Sequence, residues 1–151
     1  MTAKVAVKDT KICYVCGEEN PLGLHVPFAR DGENGSRAAY VARPEHVGWP
    51  GLLHGGLLFT LMDEAIAWSL YYGGLRGVTA KAEARFRTPV TVGSSLVITA
   101  SIMERARRLV RTRAEVRRDE GNNEIVAELV ATMFLTDFTI QRADSYDPEQ
   151  E

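Results

Sequence analysis

The segment between His54 and Tyr72 is the feature that most restricts how this chain folds. Its apolar side chains recur at three- and four-residue spacing, which predicts one long helix, and other apolar residues occupy its remaining sides. Gly73 and Gly74 follow directly and predict where the helix ends. A helix that is apolar nearly all round must be buried nearly all round, so the rest of the chain has to cover it.

The sequence on either side of this helix has the two-residue alternation of β-strands. Short strands at 24–29 and 37–43 flank a polar, glycine-containing turn, which predicts a hairpin. After the helix we expect three or four longer antiparallel strands, within 78–87, 96–103, 109–118 and 124–136. The order predicts an α+β fold in which a strongly curved sheet wraps one central helix.

Strict alternation in the strand at 78–87 divides its side chains between two faces. Ala80, Ala82, Ala84 and Phe86 are expected on one face. Thr79 is expected on the other face, together with the charged residues of the strand.

The composition excludes several functional classes. A chain of 151 residues suits a single domain, and a net charge of -2 with a pI near 6.0 argues against general nucleic-acid binding. No apolar run approaches the roughly 18 residues of a membrane span, and the first residues lack the apolar core of a secretion signal. We therefore expect a cytoplasmic protein with no nucleic-acid or membrane partner.

Cys13 and Cys16 form a single CxxC motif. Without a secretion signal, a structural disulfide is not the first interpretation. A structural zinc site usually needs four ligands, whereas this motif supplies two and His25 is the only histidine nearby. The sequence thus predicts a packed pair of thiols, with no metal and no cofactor.

Three segments of the sequence resemble one family: CYVCGEENPLGLHVPF at 13–28, GWPGLLHGGLLFTLMDEA at 48–65 and GVTAKAEARFRTPVTVG at 77–93. They are similar to hotdog-fold thioesterases, in particular to the PaaI-like branch of acyl-CoA thioesterases. The resemblance implies the hotdog fold, an acyl-CoA substrate and an obligate homodimer, either alone or as a dimer of dimers. We expect an irregular leader at 1–23, the hotdog domain at 24–140 and a disordered acidic tail at 141–151.

The resemblance also implies roles for individual residues. Asp63 matches the catalytic carboxylate, Gly55 the residue whose backbone N–H polarises the thioester carbonyl, and Thr79 a hydroxyl that assists the attacking water. One position departs from the pattern, since Val47 stands where relatives often carry glutamine. His46 is the candidate replacement for that polar group.

The start of the helix suits this chemistry on physical grounds. The first backbone N–H groups of a helix have no internal partner and lie at the positive end of its dipole, where they can stabilise a developing oxyanion. Gly55 and Gly56 lie there, and glycine lets a bulky thioester approach the backbone. His54 is expected to shape the turn, with a catalytic role as the second possibility.

The acids lie further along the helix. A carboxylate there is expected to act as base or nucleophile, and its spacing from the HGG motif favours Asp63 over Glu64, which lies about 100° away around the axis. Glu64 is the alternative acid or a partner for an arginine. Gly55 and Asp63 are about 12 Å apart along one helix, so one carbonyl cannot contact both. Two antiparallel helices related by a two-fold axis would bring Asp63 of one subunit to Gly55 of the other.

Seven arginines lie between positions 105 and 118. Strand parity predicts that one face carries Arg105, Arg107, Arg111, Arg113 and Arg117. Arginine suits the phosphates of coenzyme A, and we take Arg85, Arg107 and Arg111 as candidate substrate contacts. The same face could instead join two dimers or simply be solvated.

The leading hypothesis is therefore an acyl-CoA thioesterase, which releases a free acid and CoA. A hotdog module that binds acyl-CoA without hydrolysing it is the alternative, because Val47 replaces the expected amide. A dehydratase on the same fold ranks lower, since it needs a histidine base that does not match this pattern. The absence of a GxSxG motif argues against a serine hydrolase.

Overall fold

The computed structural model describes residues 11–136. Within them, one α-helix packs on one six-stranded antiparallel sheet. The elements in chain order are β1 (Ala29–Arg30), β2 (Gly35–Val41), a 3-10 turn (Pro44–His46), α1 (Gly55–Tyr72), β3 (Gly77–Phe86), β4 (Ser95–Ala106), β5 (Leu109–Arg118) and β6 (Ile125–Leu135). The predicted α+β arrangement is confirmed.

The strands are ordered β1-β2-β4-β5-β6-β3 across the sheet. Hairpin connections join β4 to β5 and β5 to β6, whereas β3 pairs with the last strand rather than with its sequence neighbour. This places β3, the strand that directly follows the helix, at a sheet edge. The opposite edge is the two-residue β1.

Helix α1 lies across the concave side of the sheet and contacts every strand. Its most buried side chains include Leu61, Met62 and Ile66, each with no exposed surface. Gly74, with a φ of 74°, ends the helix in the left-handed conformation that glycine adopts without strain. Burial is incomplete in the single chain, because His54–Gly56 at the helix start are exposed and one side of the helix is only half-buried. No helix in the described range is long and apolar enough to cross a membrane.

The first hairpin differs from the prediction. Residues 24–28 are not a strand of the sheet, because the leader takes their backbone hydrogen bonds: Leu24 N–H donates to Tyr14 O and Val26 N–H to Val15 O, both at 2.8 Å. The returning strand β2 begins and ends earlier than predicted. Residues 11–23 form consecutive turns. The ranges 1–10 and 137–151, which include the expected acidic tail, lie outside the described residues.

A β-bulge in β3 overturns the predicted division of its side chains. The pairing with β6 shifts between Thr79 and Lys81, so that Thr79 lies opposite Met133 and Ala82 opposite Ala131. Directly paired residues point to the same face, and Met133 and Ala131 are both buried under the helix. Thr79 therefore shares the helix-facing side with Ala82, because the bulge inserts one extra residue and breaks the alternation.

The contrast between buried and exposed leucines offers a test of this packing. Leu61 has no exposed surface, whereas Leu22 is 82% exposed. Leu61→Ala should lower the free energy of unfolding by about 2–5 kcal/mol through lost burial and a residual cavity. The matched variant Leu22→Ala should change it by less than about 0.5 kcal/mol. Chemical denaturation followed by circular dichroism measures both, and equal effects would contradict the packing described.

Candidate active site

The carboxylate of Asp63 is held by a neighbouring hydroxyl. Thr79 Oγ1 donates a hydrogen bond of 2.7 Å to Asp63 Oδ1. The contact exists because the bulge turns Thr79 toward the helix, at the level of the third helical turn where Asp63 lies. A short hydrogen bond of this kind to a carboxylate is strong, and it orients the Asp63 side chain. The structure thus brings together two of the predicted catalytic residues.

The start of α1 presents one available backbone donor. His54 caps the helix, with its Nδ1 accepting a hydrogen bond of 2.8 Å from Gly56 N–H. His54 O accepts from Leu57 and Leu58. Within residues 11–136, Gly55 N–H makes no hydrogen bond, and Gly55 is exposed. Of the two glycines predicted to serve the substrate, only Gly55 retains its N–H for a ligand.

The two glycines differ in the room that they leave for a side chain. A Cβ at Gly56 would lie 2.9 Å from His54 Nδ1, closer than real contacts allow, so a side chain there would displace the cap. A Cβ at Gly55 would meet only Phe86 Cε1, at 3.9 Å. Phe86 ends β3 and is 51% exposed. The sequence did not predict the Phe86 ring as part of the site. The one sequence signal for it is its position at the end of the strand that carries Thr79.

Glu64 faces a different part of the molecule from Asp63. Its Oε1 accepts hydrogen bonds from Trp68 Nε1 at 3.2 Å and from Cys13 Sγ at 3.5 Å. The hydrogen bond from Cys16 is the main cause that lowers the pKa of Cys13 to about 6, against the opposing effects of burial and the Glu64 charge. Glu64 therefore contacts the leader and not the Asp63–Thr79 pair.

His46 makes its principal contacts with the β2 strand. Its Nδ1 is 2.6 Å from the hydroxyl of Tyr40, and the two rings stack with centroids 5.9 Å apart. Burial lowers the pKa of His46, which favours the neutral form of the ring. Its carbonyl accepts from His54 N–H at 2.9 Å, which closes the loop before the helix. Only Nε2 is left for the predicted role as a replacement for the missing amide, which stays a prediction.

The arginines do not form the single stripe that was predicted. A bulge between Ile102 and Glu104 places Arg105 opposite the buried Val110, whereas Arg111 lies opposite Glu104. Arg107 lies in the β4–β5 turn with a φ of 58°. The prediction is therefore wrong for Arg105 and Arg107, because the bulge reverses strand parity and the turn interrupts it.

On the outer face of the sheet, glutamates pair with most of the remaining arginines. Glu128 accepts from Arg87 and Arg113 at 2.7 and 2.8 Å, and Arg87 is the main cause that lowers the pKa of Glu128. Arg113 and Arg117 also contact Glu115.

The three arginines predicted to bind substrate differ in their pairing. Arg111 has a long contact of 3.9 Å with Glu104. Arg85, which is exposed, and Arg107 make no ion pair within residues 11–136.

An open cavity of about 430 Å³ also lies on the outer face, lined by residues that include Asp31, Asn34, Ser101 and Arg113. It does not include Asp63, Thr79 or Gly55. Gly55 and Asp63 are separated by about 12 Å of helix, so one chain does not enclose a site that contains both.

Comparison with known families decides the class of the protein. A family model described as thioesterase superfamily matches residues 50–125, which contain the helix, β3, β4 and β5. The chain belongs to the thioesterase superfamily. Membership in this family supports the thioester hydrolase that the sequence predicted. A comparison with curated proteins finds no significant match.

Solved structures share the fold of this thioesterase. One thioesterase superfamily protein matches with a TM-score of 0.74 and 24% identity, over 79% of this chain and 61% of its own length. The PaaI protein from the phenylacetic acid degradation operon of E. coli matches with a TM-score of 0.69 and 20% identity, over 75% of this chain and 80% of its own. A hypothetical thioesterase from Streptococcus pneumoniae TIGR4, crystallised with coenzyme A, matches with a TM-score of 0.68 and 20% identity, over 74% of this chain and 85% of its own length. The predicted hotdog fold is confirmed.

The helix cap of this thioesterase can be tested separately from catalysis. His54→Ala removes the acceptor for Gly56 N–H and should lower the free energy of unfolding by about 0.5–2 kcal/mol. His54→Asn supplies another good capping side chain and should keep most of the stability. Thermal and denaturant unfolding compare the two variants. Equal destabilisation by Asn and Ala would show that the stability comes from the imidazole ring itself rather than from the capping hydrogen bond.

Proposed function

We propose that this protein hydrolyses an acyl-CoA thioester to a free acid and CoA, with Asp63 as the catalytic carboxylate. The observation that carries the proposal is the hydrogen bond from Thr79 to Asp63, which holds a carboxylate in a fixed orientation on a mostly apolar helix. Glu64 is bound to Trp68 and Cys13, which favours Asp63 as the acid that meets the substrate.

Asp63 serves as general base in this scheme. It takes a proton from water as the water oxygen attacks the thioester carbonyl. The tetrahedral intermediate then collapses as the C–S bond breaks, and Asp63 returns the proton to the leaving sulfur, so that CoA leaves as a thiol. Alternatively Asp63 attacks the carbonyl itself, and the C–S bond breaks so that CoA leaves as a thiolate and an anhydride with Asp63 remains. Water then hydrolyses the anhydride, which releases the acid and regenerates Asp63, and the thiolate takes up the proton that this step frees. In either route Thr79 orients the carboxylate or the water. The thioester class follows from the family, and the coenzyme A bound to the S. pneumoniae protein supports acyl-CoA as the substrate.

A spacing in the same S. pneumoniae protein supports this pair of residues. An aspartate and a threonine sixteen residues apart in that protein were each replaced by alanine for structure determination. The same separation lies between Asp63 and Thr79. This agreement favours the pair as the reactive centre.

The oxyanion donor in the proposal is Gly55 N–H of a second subunit. Strand β3 leaves one backbone edge unpaired in the described chain, and its last residue, Phe86, is half exposed beside Gly55. Antiparallel pairing of two β3 edges would remove both exposed edges and set the two helices side by side. A C2 homodimer then has two equivalent sites, each with Asp63 from one subunit and Gly55 from the other.

Arginines outside the ion-pair network are the candidates for the CoA phosphates. Arg85 and Arg107 lack an ion pair among the described residues, and Arg111 has only a long contact. These three remain the proposed contacts, because an arginine that already pairs with a glutamate would bind a phosphate with a smaller gain in free energy.

Non-hydrolytic binding of acyl-CoA is the second candidate function. Val47 is 38% exposed in the loop before the helix and provides no amide to hold the thioester or the water. Tight acyl-CoA binding without release of free thiol would select this function over hydrolysis.

Substitutions at Asp63 and Thr79 test the chemistry. Asp63→Asn should reduce kcat on a good acyl-CoA substrate by about 100- to 10,000-fold, because the base is lost. Thr79→Val removes one hydrogen bond to the carboxylate and should reduce kcat by about tenfold, while Thr79→Ser should keep most of the wild-type kcat. Release of free thiol from a panel of acyl-CoAs measures the rates. Full activity in Asp63→Asn would refute the mechanism.

Replacement of Gly55 by proline tests the oxyanion donor. Proline is well suited to the first position of a helix, and His54 already has the extended conformation (φ -62°, ψ 129°) that precedes proline. Gly55→Pro therefore deletes the N–H while the helix is kept, and kcat should fall by about 100- to 1,000-fold. Gly55→Ala retains the N–H and meets only the edge of Phe86, so it is the matched control.

Mixed dimers then show whether the site is shared. A purified heterodimer of one Asp63→Asn chain and one Gly55→Pro chain should have about half of the wild-type activity, because one of its two sites has both functional residues. An inactive heterodimer would mean that Asp63 and Gly55 act within the same chain, because each of its two sites would then lack one functional residue.

A further inference from the structure

The leader and the central helix meet at a cluster of three potential metal ligands. Cys13 Sγ, Cys16 Sγ and a carboxylate oxygen of Glu64 all lie within 4.8 Å of one another, and all three residues are half-buried. No disulfide joins the two cysteines in the described chain. The motif supplies two soft sulfur ligands. The fold adds the carboxylate of Glu64, which lies 48 residues beyond Cys16 in the sequence. We propose that Cys13, Cys16 and Glu64 hold one zinc ion, a role separate from the proposed thioester hydrolysis.

The distance between one pair of ligand atoms in the cluster already fits a tetrahedral zinc site. Zinc lies about 2.3 Å from thiolate sulfur and about 2.0 Å from carboxylate oxygen, so the two ligand atoms of a tetrahedral site are about 3.5 Å apart. The observed distance between Cys13 Sγ and Glu64 Oε1 is 3.5 Å. Two thiolates and one carboxylate carry three negative charges against the two positive charges of zinc, and the thiolates favour zinc over magnesium or calcium. Three protein ligands leave the fourth position for water.

The surroundings hold the ligands in place before the ion binds. Gly17 N–H donates to Cys13 O at 2.9 Å and closes the turn that carries both cysteines. A Cβ at Gly17 would lie 2.4 Å from Cys13 N, so the turn accepts only glycine there. Trp68 Nε1 donates to Glu64 Oε1 and orients the carboxylate from the helix side, as outer hydrogen bonds do at zinc sites. The ion would connect the leader to the helix next to Asp63, on a side of α1 that the Asp63–Thr79 pair does not occupy.

Metal titration of the full-length protein tests the site. The protein, stripped with a chelator and kept reduced with a phosphine, is titrated with zinc against a chromophoric chelator and separately with cobalt. We expect one zinc per chain and, with cobalt, the thiolate-to-metal absorption of a two-sulfur tetrahedral site. Absence of stoichiometric zinc binding to the reduced wild-type protein, or cobalt spectra without thiolate absorption, overturns the proposal. Neither readout depends on hydrolysis, so failure here and failure of the proposed function are distinguishable.

Variants then assign the ligands. Cys16→Ser should abolish stoichiometric binding. Trp68→Phe, which removes the outer hydrogen bond and keeps an aromatic ring at that position, should weaken zinc binding by about 10- to 100-fold. Glu64→Gln should retain the thiolate absorption and weaken zinc binding at least as much as Trp68→Phe. Glu18→Gln, an exposed change in the same leader, is the matched control and should bind as the wild type does. Wild-type affinity in Glu64→Gln would refute the three-ligand site.

Discussion

Burial of the apolar helix α1 is the constraint on which the rest of the structure depends. A helix of 18 residues with apolar side chains on nearly every side is stable in water only if other elements cover it. The sheet covers one side, and its curvature follows from wrapping a cylinder. Because the sheet ends at β3, the side of α1 beyond that edge is only half-buried in a single chain. The proposed dimer and the proposed active site both lie on this incompletely covered side.

The helix presents different chemistry on different sides because its residues are about 100° apart. Asp63 faces the bulged strand, whereas the adjacent Glu64 faces the leader and its cysteines. Two neighbouring acids in the sequence are thus separated into two environments. One contacts a hydroxyl at an exposed edge, and the other contacts an indole N–H and a thiol in a half-buried cluster. This division explains how a mostly apolar helix accommodates both carboxylates, since each has its own hydrogen-bond donors.

The sequence predicted what depends on local patterns and missed what depends on pairing between distant segments. The helix, its capping histidine turn and the long strands follow from periodicity and glycine positions. Thr79 was placed on the wrong face, because a bulge is a property of the β3–β6 pairing that β3 alone does not reveal. The contact of Cys13 with Glu64 was missed for a similar reason, since 51 residues separate them and only the fold brings them together. Likewise, residues 24–28 have the composition of a strand, but the leader takes their hydrogen bonds first.

The proposed reaction centre also depends on which backbone N–H group stays available at the start of the helix. Two adjacent glycines offer two backbone donors, and the side chain of His54 takes the one from Gly56. The remaining donor, Gly55 N–H, lies beside the half-exposed ring of Phe86 at the end of the strand that carries Thr79. Since β3 joins Thr79 at one end to Phe86 at the other, antiparallel pairing of two such strands sets Thr79 of each near Phe86 of its partner. The proposed pairing, which would cover the exposed edge, would therefore bring each carboxylate toward the free N–H of the other chain, and dimerisation and assembly of the proposed site would be one event.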